Sequence, residues 1–131
     1  MPTHAAGRIA TVLLALESMA IVALVILQVW ALSAGDTDSV ESAIALIVLT
    51  AVGAVAVLAF ALATWRGQSW GRSGGIVTQL LILAVALGAV TGAYADLVTG
   101  LALALPAVVT LVLLLLAVRA AGREARGTAS E

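Results

Sequence analysis

The apolar run from Ile9 to Leu32, IATVLLALESMAIVALVILQVWAL, constrains this chain more than any other feature. The hydrocarbon core of a bilayer, about 30 Å thick, takes roughly 20 helical residues to cross, and the run is longer than that. One carboxylate interrupts it: Glu17, about two and a half helical turns in from Arg8. At mid-helix an acid costs about 2.5–3.5 kcal/mol on insertion scales, so Glu17 is expected to face protein or trapped water. Gln28 follows eleven residues later, about three turns plus 20° around a helix, and therefore shares its face. Ala10, Ala20, Ile21 and Leu24 lie on or beside that face, which is expected to be the inner wall of a bundle.

Three more apolar runs follow, over about 43–65, 76–95 and 97–118. The first connection, SAGDTDSVES over 33–42, is acidic, and either Asp38 or Ser39 suits the N-cap of the next helix, with Glu41 in its first turn. The second, Trp65 to Gly75, reads as an interfacial loop in which tryptophans sit at headgroup level and arginines just outside the core. The third, around Ala93–Thr99, is so short that its flanking helices form an antiparallel pair. Pro106 removes a backbone hydrogen bond inside the fourth run and predicts a kink. Residues 1–8 and 119–131 read as polar tails. The expected architecture is all-α: one membrane-embedded four-helix bundle spanning 1–131. Ala31–Ala34 offers small residues of the kind found at signal-peptide cleavage sites. The apolar run before it exceeds the usual length of about 7–15 residues and contains Glu17, so it reads as an uncleaved span.

Composition supports this class. The chain is 63% hydrophobic and 10% charged, against about 45–50% and about 25% in soluble domains. It has no cysteine, which excludes disulfides, thiolate metal sites and cysteine nucleophiles, and its one histidine, His4, lies in the N-terminal tail. No nucleophile–base pair or metal-ligand spacing appears, and the glycines of WGRSGG lack the Lys and following Ser/Thr of a phosphate loop. The sequence therefore predicts no enzyme, no cofactor and no metal, and a net charge of −1 gives no reason to expect nucleic acid.

On a four-span threading Arg8, Arg66, Arg72, Arg119, Arg123 and Arg126 fall on one side, while Asp36, Asp38, Glu41 and Asp96 fall on the other. Arginine near short loops stays cytoplasmic, which predicts a multi-pass protein of the cell membrane with both termini cytoplasmic.

Each candidate site has two readings. Glu17 is either a proton or cation site or a structural acid bonded to Gln79, Thr78 or Arg72. Gln28 and Gln79 either line a polar cavity or make interhelical hydrogen bonds, worth about 0.6 kcal/mol each on average. Trp65, Arg66, Trp70 and Arg72 are either a docking or headgroup surface or a plain interfacial belt. Ala84, Gly88 and Gly92 recur every four residues, a row that either associates with another chain or packs this chain's own helices, the latter being the expectation.

With four short spans and a glutamate in the first, the architecture is similar to the small multidrug resistance transporters. That resemblance implies a role for Glu17 in transport; the third run here has no tryptophan and the second no tyrosine. The stretch RGQSWGRSGGIVTQ, Arg66–Gln79, looks like a loop of small four-span integral membrane proteins of high-GC actinobacteria, a resemblance that brings no chemistry with it. Short loops and the lack of a catalytic set leave helix faces as the usable surface. The leading expectation is a non-enzymatic accessory or assembly partner of a larger membrane complex, in contact with lipid and with other membrane proteins or itself. The alternative is a proton-coupled carrier or channel built on Glu17.

Overall fold

The computed structural model describes residues 2–129, with side chains from Ala5 to Gly127. Four helices account for nearly all of it: α1 (Pro2–Ser33), α2 (Val40–Trp65), α3 (Ser69–Thr91) and α4 (Leu97–Ala129). Each is long and apolar enough to cross a membrane.

The helices outrun the apolar runs that announce them. The N-terminal tail expected over 1–8 is helical from Pro2, where the fixed φ of proline suits a first turn and its missing N–H costs nothing. At the other end the expected polar tail continues α4 to Ala129, because alanine, arginine and glutamate favour helix whether or not they face lipid. Ser130, Glu131 and the His4 side chain lie outside the described residues. The central loop shrinks to Arg66–Gln68, with Gly67 making the turn at φ +73°. Trp70, Gly71, Arg72, Gly74 and Gly75, expected in that loop, are the first turns of α3. All three of these glycines are packing surfaces: a Cβ on Gly71 would stand 2.5 Å from Ala63 Cβ, one on Gly74 would run into the Phe60 ring, and one on Gly75 would stand 3.0 Å from Leu114 Cδ1. At its far end α3 stops at Thr91, short of the expected 95, where Gly92 turns extended and the Asp96 N–H bonds back to Ala89 O at 2.8 Å. Of the two candidate caps for α2, Ser39 serves, its hydroxyl accepting from the Ser42 N–H. Pro106 lies inside α4 without ending it.

The chain runs up and down, α1 against α2, α2 against α3, α3 against α4, with α4 closing on α1. The core is Ala10, Leu14, Val57, Ala61 and Leu114, with Ile76 packed on it. Small residues let the backbones approach, and van der Waals contact then replaces the hydrophobic effect that lipid would not supply. Ser18 Oγ donates to Ala54 O at 3.0 Å and ties α1 to α2.

Burial is confined to one half of the bundle. Beyond Ser18 in α1, before Ala54 in α2 and beyond Ala86 in α3, no residue is buried. In that half of α4 only Gly100 is, against Val90 of its own hairpin. The α1–α2 and α3–α4 hairpins therefore pack together over the half that carries the six arginines. Toward the acidic connections each hairpin holds mainly to itself.

Candidate functional site

Glu17 stands near the limit of the shared core, half-buried, on the turn of α1 that also carries Leu14 and Ser18. Gln79 of α3 reaches across and donates from Nε2 to Glu17 Oε2 at 2.7 Å. Of the three partners the sequence offered, this is the one made. Thr78 Oγ1 turns back to Gly74 O, and Arg72 Nη1 donates to Gly67 O, both at 2.9 Å. Gln79 is completely buried, and its Oε1 has no partner among the described residues. Thr110 of α4 lies beside the same carboxyl group. Its hydroxyl proton goes to Pro106 O at 2.8 Å, leaving its oxygen as an acceptor. Three helices thus meet at one carboxyl. The Gln79 amide donates to the carboxyl, and the Thr110 side chain lies on its other flank. Sequence reading missed Thr110; the signal was a hydroxyl four residues after the only proline of an apolar run.

Gln28 does not join this group. It shares the face of α1 but lies about 16 Å further along the axis. There it lines a separate pocket of about 440 Å³ with Asp36, Asp38, Ser39 and Ser42. Its Oε1 is likewise buried and unpartnered among the described residues. The expected cavity lined by both glutamines is therefore not formed. The expected inner wall is also shorter: Ala10 is buried and Ile21 partly so, while Ala20 and Leu24 are exposed.

The row of Ala84, Gly88 and Gly92 does not pack this chain's own helices. Ala84 and Gly88 are exposed, nothing lies within 4 Å of a Cβ on Gly88, and Gly92 leaves the helix. The reason is phase: Gln79 and Gly88 are nine residues apart, about 180° around the axis, so turning Gln79 inward turns Gly88 outward. Close internal contact falls instead to Gly71, Gly74, Gly75 and Gly100.

At the arginine-bearing end, Trp65 lies under the Arg8 guanidinium, 5.4 Å from ring centroid to Cζ, a pairing the sequence did not reveal. Trp70 packs edge-on against Phe60 at 6.1 Å and donates from Nε1 to Gln68 Oε1 at 3.1 Å. Arg66 ends α2, its N–H donating to Leu62 O at 3.1 Å. The four expected interface residues therefore cluster at one turn, but Trp65 and Trp70 have different partners. At the opposite end Asp96 precedes α4 and accepts from the Thr99 hydroxyl and, at 3.1 Å, from the Val98 N–H. The Thr99 bond holds its carboxyl below the ordinary value of 3.8.

Comparison of the chain with family models, with curated proteins and with solved structures gives no match in any of the three.

Proposed function

We propose that this chain is a multi-pass protein of the cell membrane with cytoplasmic termini, acting without catalysis as an accessory or assembly partner of a larger membrane complex. The observation that carries this reading is the half of the bundle over which the two hairpins do not pack against each other, including the open face of α3 at Ala84 and Gly88. Small residues on an exposed apolar helix suit close approach by another helix. The six arginines gathered at one end support the orientation. Crosslinking in intact membranes followed by purification in mild detergent is expected to recover a discrete partner, and Gly88→Leu is expected to release it. Purification that returns the chain alone under every mild condition would defeat the proposal.

A second reading, a proton-coupled carrier or small channel, is favoured by Glu17 itself. The carboxyl sits near the limit of the shared core with two flanking hydrogen-bonding side chains from other helices. Glu17→Gln is then expected to abolish ligand-driven proton release from the purified protein. Unchanged transport and proton release would remove this reading.

A further inference from the structure

The starts of α1 and α3 and the ends of α2 and α4 enclose a pocket of about 280 Å³. Arg8, Arg72, Thr64, Trp65 and Glu124 are among the residues lining it. The Arg8 guanidinium lies over the Trp65 ring, 5.4 Å from Cζ to the centroid, and a cation held by a ring face can still donate its N–H groups to other acceptors. Arg72 donates to Gly67 O from Nη1 and keeps the rest of its donors. Among the described residues neither guanidinium is in a salt bridge.

Thr64 supplies an independent observation. Thr11, Thr50, Thr78, Thr91 and Thr110 each spend the hydroxyl on the carbonyl four residues back in the same helix. Thr64 does not. It is 6% exposed, and its Oγ1 is buried with no partner among the described residues. A buried hydroxyl left unmet is costly and calls for an acceptor. Gly67 and Arg72 also bracket the start of α3, where Gln68 makes no side-chain cap and the first N–H groups favour an anion.

We propose that this pocket binds a phosphate group, with its oxygens held by Arg8 and Arg72 and by the Thr64 hydroxyl, and that the phosphate is that of a phospholipid headgroup. Two guanidiniums against one carboxylate, Glu124, leave the lining one charge positive, which matches a singly charged phosphodiester. The volume falls just below the usual range of ligand pockets, about 300–1,000 Å³, and so suits a headgroup rather than acyl chains. The lipid source rests on the membrane reading above. Basic pockets between spans on the cytoplasmic side are where headgroups are held.

The test uses the delipidated full chain in a non-ionic detergent, read by native mass spectrometry. The probes are phosphatidylglycerol, diacylglycerol with the same chains, and inorganic phosphate. Recovery of the wild-type chain from the membrane fraction, before any lipid is added, tests the membrane reading separately. Phosphatidylglycerol is expected to bind one site and diacylglycerol to bind at background. The double variant Arg8→Gln, Arg72→Gln is expected to weaken binding by about tenfold or more. Ala121→Leu, which fills the pocket and keeps both guanidiniums, is expected to do the same, and Glu124→Gln to tighten binding. Inorganic phosphate that binds as tightly as the lipid would keep the phosphate site and assign it to the free ion. Diacylglycerol binding equal to phosphatidylglycerol, or lipid binding unchanged in both the arginine variant and Ala121→Leu, would overturn the proposal.

Discussion

Replacing Gln79 with leucine removes the one polar side chain of α3 that is fully buried, at nearly constant volume. Two opposing terms follow. The Glu17 carboxyl loses a donor at 2.7 Å. If the carboxyl is ionised, that bond is worth about 1.5–3 kcal/mol; if it is neutral, the membrane average of about 0.6 applies, with a maximum near 1.7. In the other direction, leucine abolishes the unmet Gln79 Oε1, a burden of about 1–3 kcal/mol already carried by the native chain. The single variant is therefore expected to change stability by less than the bond is worth. The bond itself shows only in the cycle of Gln79→Leu, Glu17→Leu and the double variant. The assay is equilibrium unfolding in bicelles by steric trapping. The expected coupling is at least about 0.6 kcal/mol, and a value above about 1.7 identifies an ionised carboxylate. A coupling below about 0.3 kcal/mol, within the usual error of additivity, would refute the claim that this pair joins α1 to α3.

The same unfolding assay separates the two kinds of glycine in α3. Gly71→Ala drives a Cβ to 2.5 Å from Ala63 Cβ and 2.6 Å from Thr64 N, and overpacking of this kind costs about 1–3 kcal/mol. Gly88→Ala meets nothing and is expected to be neutral or to stabilise by up to about 1 kcal/mol; the reverse order would mean that the outward face of α3 has been misassigned. The Asp96–Thr99 bond has a pH signature. Because folding lowers the Asp96 pKa, its contribution is complete above the ordinary value of 3.8 and is lost as pH falls through the still lower folded value. Thr99→Ala is expected to raise the Asp96 midpoint in an NMR titration, and an unmoved midpoint would remove the hydroxyl as the cause. Since the chain has no cysteine, Ser33→Cys and Ser69→Cys report orientation directly. An impermeant maleimide on intact cells is expected to label the first and spare the second, and the opposite pattern would invert the proposed topology.

The four helices were legible because each carries a run of apolar residues that nothing but a span or a deep core explains. Their ends were not, because hydropathy reports where lipid contact stops rather than where the backbone hydrogen bonds stop. Residues 2–8 and 119–129 are polar and still helical. The WGRSGG stretch misled for a related reason: its tryptophans and arginines read as an interfacial loop, whereas the glycines at 71, 74 and 75 lie in the first turns of α3 and open it to its neighbours. Thr110 escaped notice because threonine passes unremarked in an apolar helix when it bonds to the carbonyl one turn back.

The Glu17–Gln79 contact and the small-residue row on α3 show which sequence signals carry phase. Glu17 and Gln79 could be paired from the sequence because each is expensive in lipid, and two such groups at one depth relieve each other. A row of alanine and glycine carries no comparable penalty. Exposed to lipid or packed on a helix, it is tolerated either way, so its spacing says that close approach is open to it without saying from which side. The rotation of α3 is therefore set by Gln79, and Gly88, half a turn round, faces outward as a consequence. The same reasoning gives weight to the arginine end. Among the described residues Thr64 is the helical threonine whose hydroxyl neither returns to its own backbone nor reaches solvent, and two guanidiniums line the pocket beside it. In a chain built almost entirely of residues indifferent to their surroundings, the few that are not indifferent define both the rotation of the helices and the places where something else is to be bound.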